Sequence, residues 1–179
     1  MTHEKDQPSS LAKWVLLAQS GDKSAFESLV EETQRKLYRF CVALSSDRGH
    51  ADDLFQETYI RAFTKIKNLR DPGQFEGWLF KIAKNVYLDQ KRYEKSATQG
   101  KESIKIHTPV ESTAEPANAI SVRRALSQFK PKDQYLLSLI DLAEFTYAEA
   151  AEIFGESEAA LKSRVFRLRK AFVKILSEG

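Results

Sequence analysis

A chain of 179 residues is long enough for one ordinary domain or two small ones and too short for a large catalytic barrel. With 42% hydrophobic and 30% charged residues and only seven Gly and five Pro, it can bury a core, which excludes wholesale disorder and favours helix. A single cysteine, Cys41, excludes a disulfide framework and a thiolate zinc cluster, while the net charge of +3 excludes little until its distribution is considered.

No apolar run nears the roughly 20 residues that span a bilayer. The start MTHEKDQPSS lacks the basic-then-apolar pattern of a secretory signal, so the expected location is the cytoplasm. The first helix is expected near Leu11 and the second after Gly21 and Asp22. Asp22 can cap that second helix, and Ser24 with Glu27 has the spacing of a capping box.

A third helix, about 51–67, opens with ADDLFQETYIRAF. It places Phe55, Tyr59, Ala62, Phe63 and Ile66 on one stripe and Asp53, Glu57, Ile60 and Arg61 on the exposed side, with Gln56 at the edge. Two carboxylates at i, i+4 with no third ligand, and His3, His50 and His107 dispersed, make a poor metal site. An acidic, apolar patch suits a protein partner and would repel phosphate.

After the breaker LRDPGQ at 69–74, FEGWLFKIAKNVYLDQKRYEK at 75–95 reads as a fourth helix. Trp78, Leu79, Ile82, Ala83 and Val86 cover one side, with Phe75 and Trp78 read as core. Lys81, Lys84, Asn85, Leu88, Lys91 and Arg92 cover the other, with Phe80 and Tyr87 at the border. A basic face beside exposed aromatics and an amide suits single-stranded nucleic acid, where cations track phosphates and rings stack on unpaired bases.

Residues 96–118 are small and polar and lack a helical period, so they read as a flexible linker. Helices follow near 119–128, 132–142, 147–153 and 158–177. No useful β-alternation occurs, and the expected fold is all-α: two small helical domains joined by that linker. Their expected limits are 1–95, 96–118 and 119–179.

The last two helices form a helix-turn-helix. Thr146 and Glu149 have capping-box spacing, Ala148, Ala151, Ile153 and Phe154 supply the apolar residues, Gly155 ends the first helix and Ser157 can cap the second. At about 100° per residue, Leu161, Val165, Leu168 and Phe172 fall on one stripe, and Ser163, Phe166, Arg167 and Lys170 lie opposite, with Lys162 and Arg169 on the flank. Phe166 sits about 140° from the core stripe, where a purely structural helix has no use for an aromatic. A hydroxyl, cations and an outward ring equip a helix to read a major groove through phosphates, guanine and the thymine methyl.

The charge pattern agrees. Asp133, Asp141, Glu144, Glu149, Glu152, Glu156 and Glu158 precede Ala160 with no intervening Lys or Arg, and Lys162, Arg164, Arg167, Arg169, Lys170 and Lys174 follow with no acid. Arg164 and Arg169 could instead pair with the acidic helices before them.

Four segments in this order and spacing, SGDKSAFESLV at 20–30, ADDLFQETYIRAF at 51–63, FEGWLFKIAKNVYLD at 75–89 and TYAEAAEIFGESEAALKSRVFRLRKAF at 146–172, resemble the extracytoplasmic-function (ECF) sigma factors. These are the minimal two-domain bacterial sigma factors that keep the second and fourth conserved regions. The resemblance implies that Asp52, Asp53, Gln56, Glu57 and Ile60 dock on the clamp coiled coil of the largest subunit of core RNA polymerase. It implies that Lys81, Lys84, Asn85, Leu88, Lys91 and Arg92 open the minus-ten element as single-stranded DNA, Asn85 aligning with a position that captures a flipped base. Lys162, Ser163, Phe166, Arg167 and Lys170 would then read the double-stranded minus-thirty-five element, and the linker would thread the RNA exit path.

Glu156 stands where relatives usually carry an apolar residue, and Ala160 with Leu161 replaces a common Thr-Val. The resemblance further implies an anti-sigma protein that covers both DNA-binding faces. The expected function is promoter-specific transcription initiation, without catalytic residues, cofactor or metal. Two rival readings are a stand-alone helix-turn-helix repressor, which requires a dimer reading a palindrome, and a magnesium-dependent nucleic-acid-processing enzyme using Asp52, Asp53 and Glu57, which lacks a companion ligand.

Overall fold

The structure, a computed structural model, describes residues 10–98 and 117–178. Eight helices are described: α1 (Ser10–Gln19), α2 (Lys23–Leu44), α3 (Arg48–Lys65), α4 (Phe75–Thr98), α5 (Ala117–Leu126), α6 (Pro131–Asp141), α7 (Tyr147–Phe154) and α8 (Glu158–Glu178), with two short 3-10 turns between α3 and α4. No strand occurs among the described residues, so the all-α expectation holds. Helical structure reaches Thr98 and resumes at Ala117; the remainder of the expected linker, 99–116, lies outside the described residues, as does His3.

The helix starts follow local chemistry, with one difference from the sequence pattern. Asp22 caps α2 alone: its carboxylate accepts from the Ser24 and Ala25 backbone N–H groups at 2.9 and 3.2 Å, and the Ser24 hydroxyl also donates to it, at 2.7 Å. The expected Ser24–Glu27 box is absent because the stronger acceptor already holds both Ser24 donors. Asp47 caps α3 through the His50 N–H at 2.9 Å, so α3 begins three residues before the expected start. The breaker becomes a turn in which the Asp71 carboxylate accepts from the Gly73 N–H at 2.9 Å.

Along α2 the buried residues Ala25, Phe26, Leu29, Thr33, Leu37, Phe40, Cys41 and Leu44 recur every three or four positions and form the stripe on which α1 and α3 pack. Helix α1 is fixed at its end by the Gln19 side-chain amide, which donates to the Ile66 and Leu69 carbonyls at 3.0 and 2.7 Å. Burial pushes the Cys41 thiol up to about 12, which makes it an inert core residue.

Helices α5 to α8 form the second unit, but it does not stand apart. Helix α6 packs on α2 and α4, α7 packs on α4, and one core cluster runs from Val15 to Val165. Tyr135 of α6 is fully buried at the junction. Its ring centroid lies 4.8 Å from Phe40 and 5.9 Å from Tyr87, and its hydroxyl donates to the Phe80 carbonyl at 2.5 Å.

Candidate nucleic-acid interface

Helix α8 is presented by the turn before it. The Thr146 hydroxyl accepts from the Glu149 N–H at 3.3 Å, and the Glu149 carboxylate accepts from the Thr146 N–H at 2.8 Å and from the Thr146 hydroxyl at 2.7 Å. These bonds hold the Glu149 carboxyl below the usual carboxylate range, the side-chain bond to Thr146 first and the backbone bond second. Gly155 ends α7 at φ 67, left-handed backbone that favours glycine, and Ser157 accepts from the Ala160 N–H at 3.3 Å. The buried residues of α7 are Ala150 and Ile153; Ala148, expected on the apolar side, faces solvent because a two-turn helix carries too short a pattern to fix its phase.

Leu161 and Val165 are fully buried, with Leu168 and Phe172 packed against the core. The opposite side of α8 therefore faces outward as expected: Lys162, Ser163, Arg167 and Lys170 are exposed, and Phe166 remains 66% exposed. The Lys170 ammonium lies 6.0 Å from the Phe166 ring centroid, close enough for an amphipathic, cationic patch.

The flanking arginines serve the scaffold. Arg164 donates from Nε to Asp133 at 2.8 Å and from Nη1 to Glu156 at 3.0 Å, which gives Glu156 a partner at its unusual place in the turn. Arg169 donates to Asp141. Lys162 pairs with Glu158 at 2.6 Å, an exposed i, i+4 contact worth too little to hold the lysine from a phosphate.

On α3, Asp53, Gln56 and Ile60 are exposed, Ile60 at 58%. Asp52 is half-buried and accepts from the Tyr38 hydroxyl at 2.9 Å. Glu57 accepts from Arg61 Nε at 2.6 Å, Arg61 donates onward to Asp89 at 3.2 Å, and Arg92 donates to Asp89 at 2.5 Å. This relay, absent from the sequence reading, ties the acidic helix to α4; its signal would have been the Glu57–Arg61 spacing. Among the described residues no group of His, Cys, Asp or Glu could hold a metal, and no helix is long and apolar enough to cross a membrane.

The α4 surface requires correction. Lys81, Asn85 and Arg92 are exposed, and Lys91, half-buried, pairs with Glu94 at 2.8 Å. Lys84 is half-buried, donates to the Ile153 carbonyl of α7, and lies 4.8 Å from the Phe154 ring centroid. Leu88 packs against the core. Phe80 and Tyr87, expected as exposed rings at the border, are buried because α6 covers them. Beside this junction a cavity of about 300 Å³ is lined by Arg70, Trp78 and Lys81 on one side and Phe145, Glu149 and Glu152 on the other.

Residues 29–97 match the family description Sigma-70 region 2, and residues 119–172 match Sigma-70, region 4. The chain is 30% identical over 147 residues to ECF RNA polymerase sigma factor SigM of Bacillus subtilis, covering 80% of this chain and 90% of that one. It is 28% identical over 175 residues to ECF RNA polymerase sigma factor SigM of Mycobacterium tuberculosis, covering 97% and 86%. Among solved structures it resembles sigma factor RpoE in complex with the anti-sigma factor NepR from Bartonella quintana, at TM-score 0.69 and 26% identity, covering 85% and 96%. It shares the fold of CnrH, solved with the cytosolic domain of CnrY, at TM-score 0.74 and 22% identity, covering 94% and 98%.

Proposed function

Because the chain belongs to the ECF sigma factors, which bind core RNA polymerase and direct promoter-specific transcription initiation, we propose a division of that work among its three surfaces. Like the rest of its family it is a regulatory protein and not an enzyme. Asp52, Asp53, Gln56, Glu57 and Ile60 of α3 dock on the clamp coiled coil of the largest polymerase subunit. Lys81, Lys84, Asn85, Leu88, Lys91 and Arg92 of α4 engage the opened minus-ten strand. Lys162, Ser163, Phe166, Arg167 and Lys170 of α8 read the minus-thirty-five element in the major groove.

The corresponding domains are 1–95 and 119–179, with 96–118 as linker, and the working location is the cytoplasm. An anti-sigma protein is the expected regulator, since the relatives RpoE and CnrH are seen with NepR and CnrY. The observation that carries this reading is the outward face of α8, where a 66% exposed Phe166 shares the surface with the exposed Arg167 and Lys170 while Arg164 and Arg169 are held by acidic partners of the scaffold. A stand-alone repressor is less favoured, because it leaves the acidic α3 face without a purpose.

Docking is tested by size-exclusion chromatography with bacterial core RNA polymerase at moderate salt. The wild type should co-elute and Glu57→Lys should not, since it reverses one charge of the patch beside Arg61. Undiminished co-elution of the variant would move the interface away from α3.

A further inference from the structure

Asp52, Asp53 and Glu57 stand on the α3 face assigned to polymerase docking, and the fold treats each differently. Glu57 is turned toward α4, where Arg61 Nε donates to it at 2.6 Å and Arg61 continues to Asp89 at 3.2 Å, so its charge is already met by a cation. Asp53 is exposed, and among the described residues no bond fixes its side chain. Asp52 is both held and uncompensated. The Tyr38 hydroxyl of α2 donates to its Oδ1 at 2.9 Å, and no cation among the described residues pairs with it.

The donor is itself fixed. Tyr38 is half-buried, and its ring meets Phe55 edge to face at 5.5 Å, Phe55 meeting Tyr59 in turn at 5.0 Å. Tyr59 is buried, and its hydroxyl is bonded to that of Thr33 of α2 at 2.8 Å. Hydroxyl contacts therefore clasp α2 to α3 at Thr33–Tyr59 inside the core and at Tyr38–Asp52 near the surface. A clasp between helices does not need a carboxylate, as the neutral Thr33–Tyr59 pair shows.

Asp52, Gln56 and Ile60 recur at i, i+4 and i+8 and share one side of α3, where Gln56 and Ile60 are exposed. Asp52 thus joins an outward stripe with its carboxylate oriented by a neutral donor, which leaves its negative charge for a cation of the partner. A side chain already in its bound rotamer loses less conformational freedom on docking. A charge unmatched within its own chain also gains more from a complementary one.

We infer that Tyr38 is a positioning residue for polymerase docking: its hydroxyl pre-orients Asp52, and Asp52, rather than Glu57, is the fixed charge that a basic side chain of core RNA polymerase takes. This rests on the assignment of α3 to docking.

The test measures, by fluorescence anisotropy, the affinity of the labelled full chain for bacterial core RNA polymerase. Tyr38→Phe keeps the ring against Phe55 and deletes the donor; circular dichroism and the urea midpoint verify that every variant folds. Tyr38→Phe should weaken binding about fivefold, and Asp52→Asn should weaken it more than Glu57→Gln. In an Asp52→Ala background Tyr38→Phe should cause no further loss, because a residue that acts only through Asp52 then has nothing to act on.

An equal loss from Tyr38→Phe in both backgrounds would show that Tyr38 acts through the fold, and the positioning role is overturned. Full affinity in Tyr38→Phe, with Asp52→Ala still weak, overturns that role and leaves the docking face in place. A greater loss in Glu57→Gln than in Asp52→Asn overturns the choice of Asp52 as the fixed charge. If neither Asp52→Ala nor Glu57→Lys binds less tightly than the wild type, the α3 assignment falls and the inference falls with it.

Discussion

Arg164 and Arg167 lie three residues apart on α8 and do different work. Arg164 is bonded to Asp133 and Glu156, and its loss leaves Asp133, a largely buried carboxylate, without its cation. Arg164→Ala should therefore lower the stability of the second unit by about 1–2 kcal/mol, after allowance for solvent screening, read as a shift in the urea midpoint. Arg167 is exposed and makes no such brace, so Arg167→Ala should leave that midpoint unchanged. It should instead weaken the upstream promoter element by about 1–3 kcal/mol, measured as holoenzyme binding to promoters with that element intact or scrambled. Equal loss on both templates would reduce Arg167 to a phosphate contact.

At the scale of elements, the Thr146–Glu149 box decides how α7 begins and hence how α8 is presented. Thr146→Ala should cost about 1 kcal/mol. The Glu149 carboxyl is held below its ordinary value of 4.5, so its contribution is fully present above that value and is lost as pH falls through the lowered one. The urea midpoint should decline over that acid window in the wild type and decline less in Glu149→Gln, which has no carboxyl to protonate. A parallel decline in both proteins would assign the acid sensitivity to other carboxylates.

This box was legible in the sequence because capping depends on residues three apart, as were Gly155 and the Leu161–Val165 stripe. Phe80, Lys84 and Tyr87 were not. The period of α4 separates a basic side from an apolar one, but nothing within the helix says that a second apolar partner, α6, arrives from more than 40 residues away to cover its border. The acidic run was visible as a run; that Asp133 and Glu156 meet Arg164 while Asp141 meets Arg169 depends on tertiary placement alone.

At the scale of the whole molecule, the two units share a core that crosses their junction, and Tyr135 is among its largest fully buried side chains. A side chain that is fully buried and in ring contact with Phe40, Tyr87 and Phe154 couples the stability of one unit to the other. Both tryptophans, Trp14 and Trp78, lie in the first unit, so fluorescence reports that unit while circular dichroism reports helices of both. In the wild type the two signals should follow one urea transition, as expected where units unfold together. Tyr135→Ala, which should cost about 3–5 kcal/mol as a large-to-small core change, should separate them, the dichroism falling in two steps and the fluorescence following only one. Tyr135→Phe keeps the ring and removes the bond to the Phe80 carbonyl; it should keep one transition with a loss of about 1 kcal/mol. Separate transitions already present in the wild type would mean that the junction does not hold the units together in solution.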